Sequence, residues 1–219
     1  MRVIAIANQK GGVGKTTVAM QVGAELSRRH RVLVVDVDRQ QSTVWWAQNA
    51  SDRLPFDFAG SQHPNKLSRL RELGADYEMV LVDTPGSLED TAVLETVLDA
   101  ADFALIPVTP EPLAVDPTLR TLSRLIEPRH LRHGVLLNRI DPRVPNQLQT
   151  WQRLLDCELG VPRLEAHLRQ YKVQSDAPVL GQLVTSLRRN RRTEGPIADI
   201  AAIARELEQL LAPAPAGAW

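Results

Sequence analysis

A glycine-rich segment near the start of the chain has the residue types and spacing of a phosphate-binding site. It reads KGGVGKTT, from Lys10 to Thr17, and lies between an apolar run and an amphipathic stretch. A strand, a glycine-rich turn and a helix in this order form an anion site, because backbone N–H groups converge in the turn and the helix N-terminus adds its dipole. Lys15 would neutralise β- and γ-phosphate charge, the Thr16 hydroxyl would ligate Mg²⁺, and the N–H or hydroxyl of Thr17 would contact the α-phosphate.

The segment departs from the common phosphate-loop pattern in two ways. That pattern, G-x-x-x-x-G-K-[ST], begins with glycine, whereas Gln9 stands at this position here. In addition, Lys10 places a second ammonium five residues before Lys15, although Lys15 already supplies a positive charge for the phosphates. The alternative interpretation is a glycine-rich turn that happens to precede a helix, with Lys10 as a solvated loop lysine. Two carboxylate motifs further along the chain make this alternative less favoured.

Two later apolar runs end in aspartates that could complete a site for phosphoryl transfer. VLVVDVD ends with Asp36 and Asp38, and MVLVD ends with Asp83. Phosphoryl transfer requires a metal ion, a positioned nucleophile and stabilisation of developing charge. In an open α/β sheet such groups come from the carboxyl ends of the strands. The alternative is that Asp36 and Asp38 only cap the turn that follows their strand.

The elements that must position these residues are predicted by hydrophobic patterning. Short Val/Ile/Leu-rich runs are typical of strands buried on both faces of a parallel sheet, and the amphipathic stretches between them predict helices. The predicted strands are 2–8, 31–37, 77–84, 102–108 and 134–140, with 178–186 as a further late strand. The predicted helices are 15–30, 65–75, 91–101, 117–128, 146–160, 161–173 and 196–211.

Alternation of strands and helices along the chain predicts the fold class. It favours an α/β protein with a doubly wound, mostly parallel sheet flanked by helices. No linker interrupts the pattern, so we expect a single domain over residues 1–211. The Pro/Ala-rich segment 212–219 is expected to be a flexible tail.

KGGVGKTT resembles the deviant Walker A motif of the ParA/MinD family of P-loop ATPases, and a short ParA-type partition ATPase fits best. The resemblance covers most of residues 1–140 and, more loosely, 176–211, whereas 143–175 carries no recognised motif. It implies ATP and Mg²⁺ as cofactors. In that family the upstream lysine reaches across a nucleotide-sandwich dimer to phosphates held by the other subunit. The resemblance therefore gives Lys10 this role and makes homodimerisation depend on ATP.

The same resemblance gives roles to the strand-end residues. VDVDRQQS matches the family's second motif, usually D-x-D-P-Q, in which Asp38 helps to orient the attacking water and Asp36 supports it from a deeper position. Arg39 replaces the usual proline, which leaves the local loop shape open. LVDTPG resembles Walker B, so Asp83 would hold the Mg²⁺ shell and the 84–86 turn would sense the γ-phosphate.

Asn138, at the end of another predicted strand, matches the family position that contacts adenine; a plain turn residue is the alternative. The catalytic residues implied by the resemblance are Lys10, Lys15 and Asp38, and the implied metal ligands are Thr16 and Asp83. The implied nucleotide-binding residues are Gly11, Gly12, Val13, Gly14, Lys15, Thr16, Thr17 and Asn138.

Composition places few limits on the partners of the protein. The 26 basic and 26 acidic side chains cancel, so net charge does not indicate a nucleic-acid or membrane partner. A single cysteine excludes an internal disulfide, and no apolar segment approaches the roughly 20 residues that span a bilayer. The final helix leans acidic, unlike the basic membrane helix of the MinD branch. We therefore expect a cytoplasmic protein of a bacterium with no membrane partner.

A local basic cluster predicts a contact with DNA. SLRRNRRTEG contains Arg188, Arg189, Arg191 and Arg192 within five residues. Arginines pair with phosphates, and the absence of aromatic residues among them favours the backbone of duplex DNA over single strands. Short ParA-type ATPases bind DNA non-specifically as ATP dimers, so the resemblance implies association with the nucleoid. The alternative is a solvated turn whose arginines pair with nearby acids such as Glu194.

Two functions from different classes are compatible with these residues. The first is a ParA-type ATPase that positions or segregates a plasmid, a chromosome or a protein organelle, with hydrolysis stimulated by a cargo-linked partner protein. The second is a metabolic P-loop enzyme that transfers phosphate to a small acceptor. Such an enzyme would need a polar acceptor pocket, and residues 143–175 show no such constellation, so the first function is favoured.

Overall fold

A parallel sheet forms the centre of the molecule. The computed structural model describes residues 1–50, 53–61, 63–86 and 91–212. The strands in these ranges are β1 (Arg2–Ile6), β2 (Val32–Asp36), β3 (Asp57–Gly60), β4 (Met79–Asp83), β5 (Phe103–Val108), β6 (His133–Ile140) and β7 (Leu168–Arg169). Their spatial order is β3, β2, β4, β1, β5, β6, β7, and every pairing is parallel. The predicted fold class is confirmed.

Helices connect the strands and cover both faces of the sheet. The α-helices are α1 (Lys15–Leu26), α2 (Ser42–Ala50), α3 (Pro64–Leu67), α4 (Thr91–Ala100), α5 (Pro112–Thr121), α6 (Gln147–Arg153), α7 (Lys172–Asp176) and α8 (Glu194–Leu211). Helices of 3₁₀ type cover Leu70–Ala75, Glu127–Arg129 and Val184–Ser186, and π-helical turns at Leu122–Ile126 and Leu154–Leu159 extend α5 and α6. None of the helices described is both long enough and apolar enough to cross a bilayer.

The central strands β1, β2, β4 and β5 are largely apolar because their alternate side chains enter two separate cores. On one face, Ile4 and Ile6 pack with apolar residues of α1 and α8. On the other face, Val3 and Ala5 pack with apolar residues of α4, α5 and α6. The result is a sheet buried between two helical layers, as the continuous apolar runs predicted.

The strand order brings three carboxyl ends together. β4 lies between β1 and β2, with Ile6 of β1 in register with Asp83, and Asp83 in register with Asp36 of β2. Because parallel strands end at the same edge of the sheet, the loop after β1 lies beside both aspartates.

Most of the predicted elements are confirmed, and two are wrong. The five principal strands are present, as are helices corresponding to 15–30, 91–101 and 196–211. The predicted helix 161–173 is instead mostly extended: Val135 of β6 accepts a backbone hydrogen bond from Leu164 and donates one to Pro162, each 2.9 Å long. β7 follows this segment, and α7 begins only at Lys172.

The predicted late strand 178–186 is a turn followed by a short 3₁₀ helix. Gly181 in this turn has a φ of +55°, which is incompatible with a strand. The predicted helix 65–75 is divided into α3 and a 3₁₀ segment, and the sequence patterns missed α2, β3 and β7. Residues 213–219 of the predicted tail lie outside the described residues.

Candidate functional site

The loop between β1 and α1 has the geometry of an anion site. Gly12 and Gly14 have φ values of +79° and +90°, in the left-handed region that favours glycine. Gly14 is the N-cap of α1, and no side chain caps the first turn of this helix. A Cβ at Gly14 would also lie 2.4 Å from Asn138 Nδ2, so both conformation and close approach require glycine here. The uncapped helix N-terminus is therefore presented by a tight backbone turn, as phosphate binding requires.

The ammonium of Lys15 lies within this loop. Its Nζ donates to the carbonyl oxygens of Asn8, at 3.1 Å, and Lys10, at 3.3 Å, and the side chain is buried. Burial lowers the pKa of Lys15, and the negative charges of Asp83 and Asp38 oppose that effect. The loop thus holds one positive charge at its centre, close to two carboxylates.

Asn8 connects the loop to α5 and was missed by the sequence patterns. Its amide nitrogen donates to Thr118 Oγ1 at 2.9 Å, and its amide oxygen accepts the N–H of Lys10 at 3.0 Å. One residue further on, the N–H of Gln9 donates to Thr121 Oγ1 at 3.0 Å. The signal available in the sequence was an asparagine at the end of an apolar run. The structure buries this residue fully, and a buried amide needs hydrogen-bond partners inside the protein.

Asp83 and two threonine hydroxyls form a hydrogen-bonded polar group beneath the phosphate loop, with Asp83 and Thr43 buried. Asp83 Oδ2 accepts hydrogen bonds from Thr16 Oγ1 at 2.7 Å and Thr43 Oγ1 at 2.5 Å. Burial raises the pKa of Asp83 to about 7, against the effect of these two hydrogen bonds. Asp83 Oδ1 is buried and has no hydrogen-bond partner among the residues that the structure describes. A carboxylate oxygen without a partner beside a hydroxyl is the kind of donor set that Mg²⁺ takes, so Thr16 and Asp83 fit this ion.

Asp36 holds the beginning of α2 and the loop that carries Asp38. Its Oδ2 accepts the N–H groups of Thr43 and Val44, both at 3.1 Å, and its Oδ1 accepts the N–H of Asp38 at 2.9 Å. Burial raises the pKa of Asp36, whereas these backbone hydrogen bonds lower it. Asp36 therefore caps the first turn of α2 and supports the second motif. The sequence signal for this helix was the pair Ser42 and Thr43 at its first turn, because serine and threonine are frequent at helix N-termini.

Six of the predicted nucleotide-binding residues line one cleft of about 800 Å³: Gly11, Gly12, Gly14, Lys15, Thr16 and Thr17. The predicted residues Lys10, Val13 and Asn138 are not among its lining residues. Lys15 and Asp38 both contribute to its wall, and exposed Trp45 of α2 lies at the same cleft. Other lining residues are Arg39, Gly86 and Arg139. The structure thus brings together residues from the carboxyl ends of four strands, β1, β2, β4 and β6.

The turn after β4 packs against the phosphate loop. Thr84 Oγ1 donates to the Ile6 carbonyl at 2.8 Å, so this hydroxyl is engaged by β1. A Cβ at Gly86 would lie 2.8 Å from Lys15 Nζ and 3.2 Å from Gly11 Cα. A side chain at this position would therefore press on the Lys15 ammonium and on the loop backbone, which glycine avoids. Residues 87–90, which follow this turn, lie outside the described part of the chain.

Asn138 lies against the phosphate loop. Its Nδ2 donates to the Val13 carbonyl at 2.7 Å, its Oδ1 accepts the N–H of Arg139 at 2.9 Å, and the residue is buried. Arg139 is exposed and has a φ of +58°, an uncommon conformation for a residue with a side chain. A second cavity of about 260 Å³ lies here and shares Thr17 and Arg139 with the cleft.

The four predicted DNA-contacting arginines lie in the segment before α8, and none of them is among the residues that line the cleft. Asn190 and Thr193 shape this segment: Asn190 Oδ1 accepts the Arg192 N–H at 2.8 Å, and Thr193 Oγ1 donates to the Arg188 carbonyl at 2.9 Å. The side chains are exposed and form no salt bridge with any residue that the structure describes. These arginines are Arg188, Arg189, Arg191 and Arg192.

Comparison with known proteins identifies the family. Residues 4–211 match the family model described as the CobQ/CobB/MinD/ParA nucleotide binding domain. The chain belongs to this family. It is 41% identical over 208 residues to "Maintenance of carboxysome distribution protein A" of Gloeobacter kilaueensis, covering 95% of this chain and 94% of that protein. A protein of the same name from Halothiobacillus neapolitanus is 32% identical over 192 residues, covering 84% and 87%.

A solved structure shows the same fold. The MinD cell division protein of Aquifex aeolicus has a TM-score of 0.76 with this chain at 21% identity, covering 97% of this chain and 99% of that one. The chain is thus a ParA-like member of a family of P-loop ATPases. In this ParA-like chain, α2 with Thr43, the loop anchor Asn8 and the second cavity are the parts of the site that sequence patterns did not provide.

Proposed function

We propose that this chain hydrolyses ATP and forms a homodimer with ATP. In this proposal the dimer binds duplex DNA without sequence preference, and a cargo-linked partner protein stimulates hydrolysis. The observation that carries the proposal is the single cleft lined by Lys15, Thr16 and Asp38, with Asp83 beneath it. The names of the two relatives favour a carboxysome as the cargo over a plasmid or a chromosome.

Each residue at the cleft would have a distinct task. Lys15 would bind the β- and γ-phosphates, and the N–H groups of the loop would bind phosphate oxygens. Thr16 and Asp83 would hold Mg²⁺, which when bound neutralises phosphate charge. Asp38 would orient the attacking water, because its carboxylate lines the cleft while Asp36 holds its loop.

Lys10 would serve the neighbouring subunit. Lys15 Nζ already lies at the centre of the loop, bonded to the Lys10 carbonyl. The Lys10 side chain is half-buried and forms no salt bridge with any residue described. An ammonium donated to phosphates of the partner would neutralise charge there and make the dimer depend on ATP.

We further infer a single ATPase domain over residues 1–211 with a tail at 212–219. The protein would act in the cytoplasm of a bacterium, on the nucleoid and without a membrane partner. The exposed arginines between Arg188 and Arg192, unpaired with described acids, support a DNA surface on this domain.

The proposal is tested by substitution of Lys10. Lys10→Ala should leave ADP affinity within about twofold of wild type and prevent dimerisation with a slowly hydrolysed ATP analogue. Size-exclusion chromatography with light scattering measures the dimer, and Lys66→Ala, which removes an exposed lysine of α3, is the matched control. A Lys10→Ala protein that dimerises fully would contradict the trans role.

ATPase assays separate the proposal from phosphate transfer to a small acceptor. A ParA-type cycle requires DNA binding with ATP but not with ADP, and release of inorganic phosphate. A small-acceptor enzyme would instead transfer the phosphate to its substrate and ignore DNA. Nucleotide-independent DNA binding would contradict the ATP-controlled cycle.

A further inference from the structure

The cavity beside the phosphate-loop cleft is lined mainly by neutral polar side chains. Its volume is about 260 Å³, and its lining residues include Thr17, Asn138, Arg139, Tyr171 and Gln174. Thr17 and Arg139 also line the larger cleft, so the two spaces adjoin. The cavity is therefore a continuation of the proposed phosphate site.

The order of groups in a nucleotide indicates what this cavity would receive, if the proposed function holds. Lys15 and Thr16 are proposed to face the β- and γ-phosphates, and Thr17 the α-phosphate. Ribose and base follow the α-phosphate in a nucleotide. A cavity that begins at Thr17 is thus on the side where the base must lie.

Three carboxamides lie at this cavity, those of Asn138, Gln170 and Gln174; Gln170 is exposed, whereas the other two are buried and differ in their hydrogen bonding. The amide nitrogen of Asn138 donates to the Val13 carbonyl, and its amide oxygen accepts a hydrogen bond from the Arg139 N–H. Gln174 is 7% exposed, and its Nε2 is buried with no hydrogen-bond partner in the described part of the chain. Buried amide groups are nearly always paired, so the Gln174 donor requires an explanation that the described protein residues do not supply.

Gln174 is held in place by the contacts of α7. The Gln174 N–H donates to the Tyr171 carbonyl at 3.2 Å, and the Tyr171 hydroxyl donates to Asp199 Oδ2 of α8, also at 3.2 Å. Arg169 pairs with the same carboxylate at 2.6 Å and lies 5.4 Å from the centroid of the Tyr171 ring. These contacts fix the start of α7, so the wall that carries Gln174 is formed before a ligand binds.

We propose that Gln174 recognises the adenine base and selects ATP over GTP. A glutamine carboxamide presents an acceptor beside a donor, which matches the amino group and neighbouring ring nitrogen of adenine. Guanine presents two acceptors, O6 and N7, on the corresponding edge, so the glutamine oxygen would face O6 without a hydrogen bond. Asn138 is then a positioning residue for the phosphate loop, and Gln174 is the specificity-determining residue.

The experiment compares ATP, GTP and tripolyphosphate by calorimetry in the full chain. Gln174→Met keeps the length of the side chain and removes its hydrogen bonding, and Gln174→Glu keeps the shape and removes the donor. Gln149→Met, on the exposed face of α6, is the control for the same exchange. Gln174→Met should bind ATP about tenfold more weakly, or about 1.4 kcal/mol, with GTP and tripolyphosphate affinities unchanged. The added charge of Gln174→Glu should weaken all three ligands, with a larger loss for ATP than for GTP.

The outcomes distinguish this inference from the function on which it rests. An unchanged ratio of ATP to GTP affinity in both variants would overturn the role of Gln174. An equal loss for ATP, GTP and tripolyphosphate would also overturn it, because that result indicates a purely structural side chain. If the wild-type chain bound neither ATP nor tripolyphosphate, the proposed function itself would fail.

Discussion

At the scale of single residues, the site depends on charges held in a largely buried environment. Lys15 and Asp83 are both buried, and the pKa of each is shifted towards the neutral form by desolvation. Each charge acts on the pKa of the other in the opposite direction. Such groups interact strongly with a ligand because little solvent screens them.

Lys15→Ala should lower ATP affinity by about 100-fold, or about 3 kcal/mol. The physical reason is the loss of the buried ammonium at the position proposed for the β- and γ-phosphates. Isothermal titration calorimetry measures the effect, with Lys172→Ala, an exposed lysine paired to Asp176, as control. Unchanged affinity would show that this loop is not the phosphate site.

Asp38→Ala should retain ATP binding and slow hydrolysis by about 100-fold or more, since a positioned carboxylate contributes that much to proton transfer. Asp38→Asn should also be slow, although it preserves the acceptor for the Gln40 N–H, which lies 2.9 Å from Asp38 Oδ1. Phosphate release at saturating ATP is the measurement. Wild-type turnover of the asparagine variant would show that a residue other than Asp38 orients the attacking water.

At the scale of elements, α2 is tied to the turn at 178–182. Trp46 Nε1 donates to the Gln182 carbonyl at 3.1 Å, and Asn49 Nδ2 donates to the Pro178 carbonyl at 3.2 Å. The same helix carries Thr43 at the site, so the turn holds one wall of the cleft in position. The turn itself depends on glycine because it touches the backbone of α2.

Gly181→Ala should lower the free energy of unfolding by about 2–4 kcal/mol, because its Cβ would lie 2.0 Å from the Asn49 carbonyl oxygen and its φ is +55°. Gly160→Ala is the matched control: its φ is +60°, but no atom lies within 4 Å of the added carbon. Gly160→Ala should lower the free energy of unfolding by only about 1–2 kcal/mol. Urea unfolding of both variants provides the comparison, and equal losses would show that backbone contact with α2 contributes nothing.

At the scale of the whole molecule, the arginines of the basic segment before α8 are not among the residues that line the cleft. Substitutions in the basic segment are therefore expected to leave ATP binding and dimerisation intact. Each phosphate neutralised releases condensed counterion, so DNA affinity falls with salt at a slope of about 0.9 per contact.

Single replacements of Arg188, Arg189, Arg191 or Arg192 by alanine should weaken binding to unrelated duplexes about equally. Each should flatten the plot of log affinity against log salt by about one unit, or about two if both subunits of the dimer use the residue. Fluorescence anisotropy with two unrelated sequences measures this, and Arg69→Ala, paired with Glu72, is the control. Wild-type binding by all four variants would mean that the segment is only a solvated turn.

The sequence by itself determined the parts of the protein whose physics is local. Strands buried on both faces must be apolar at successive positions, which is why the five principal strands were predictable. The positive φ values of Gly12 and Gly14 and the charge of Lys15 are likewise properties of one short segment. Periodicity was misleading at 161–173, where Leu164 and Leu168 are four residues apart and both buried, because an extended chain beside β6 buries them equally well.

Only the tertiary structure decided which polar groups meet. Thr43 bonds to Asp83 across 40 residues, and Asn8 bonds to Thr118 across 110. No local pattern encodes such pairs, because each depends on strand order and on the docking of α2 and α5 against the sheet. The same holds for Gln174, which is one polar residue among many in the sequence and becomes distinct only when folding buries its amide beside the cleft.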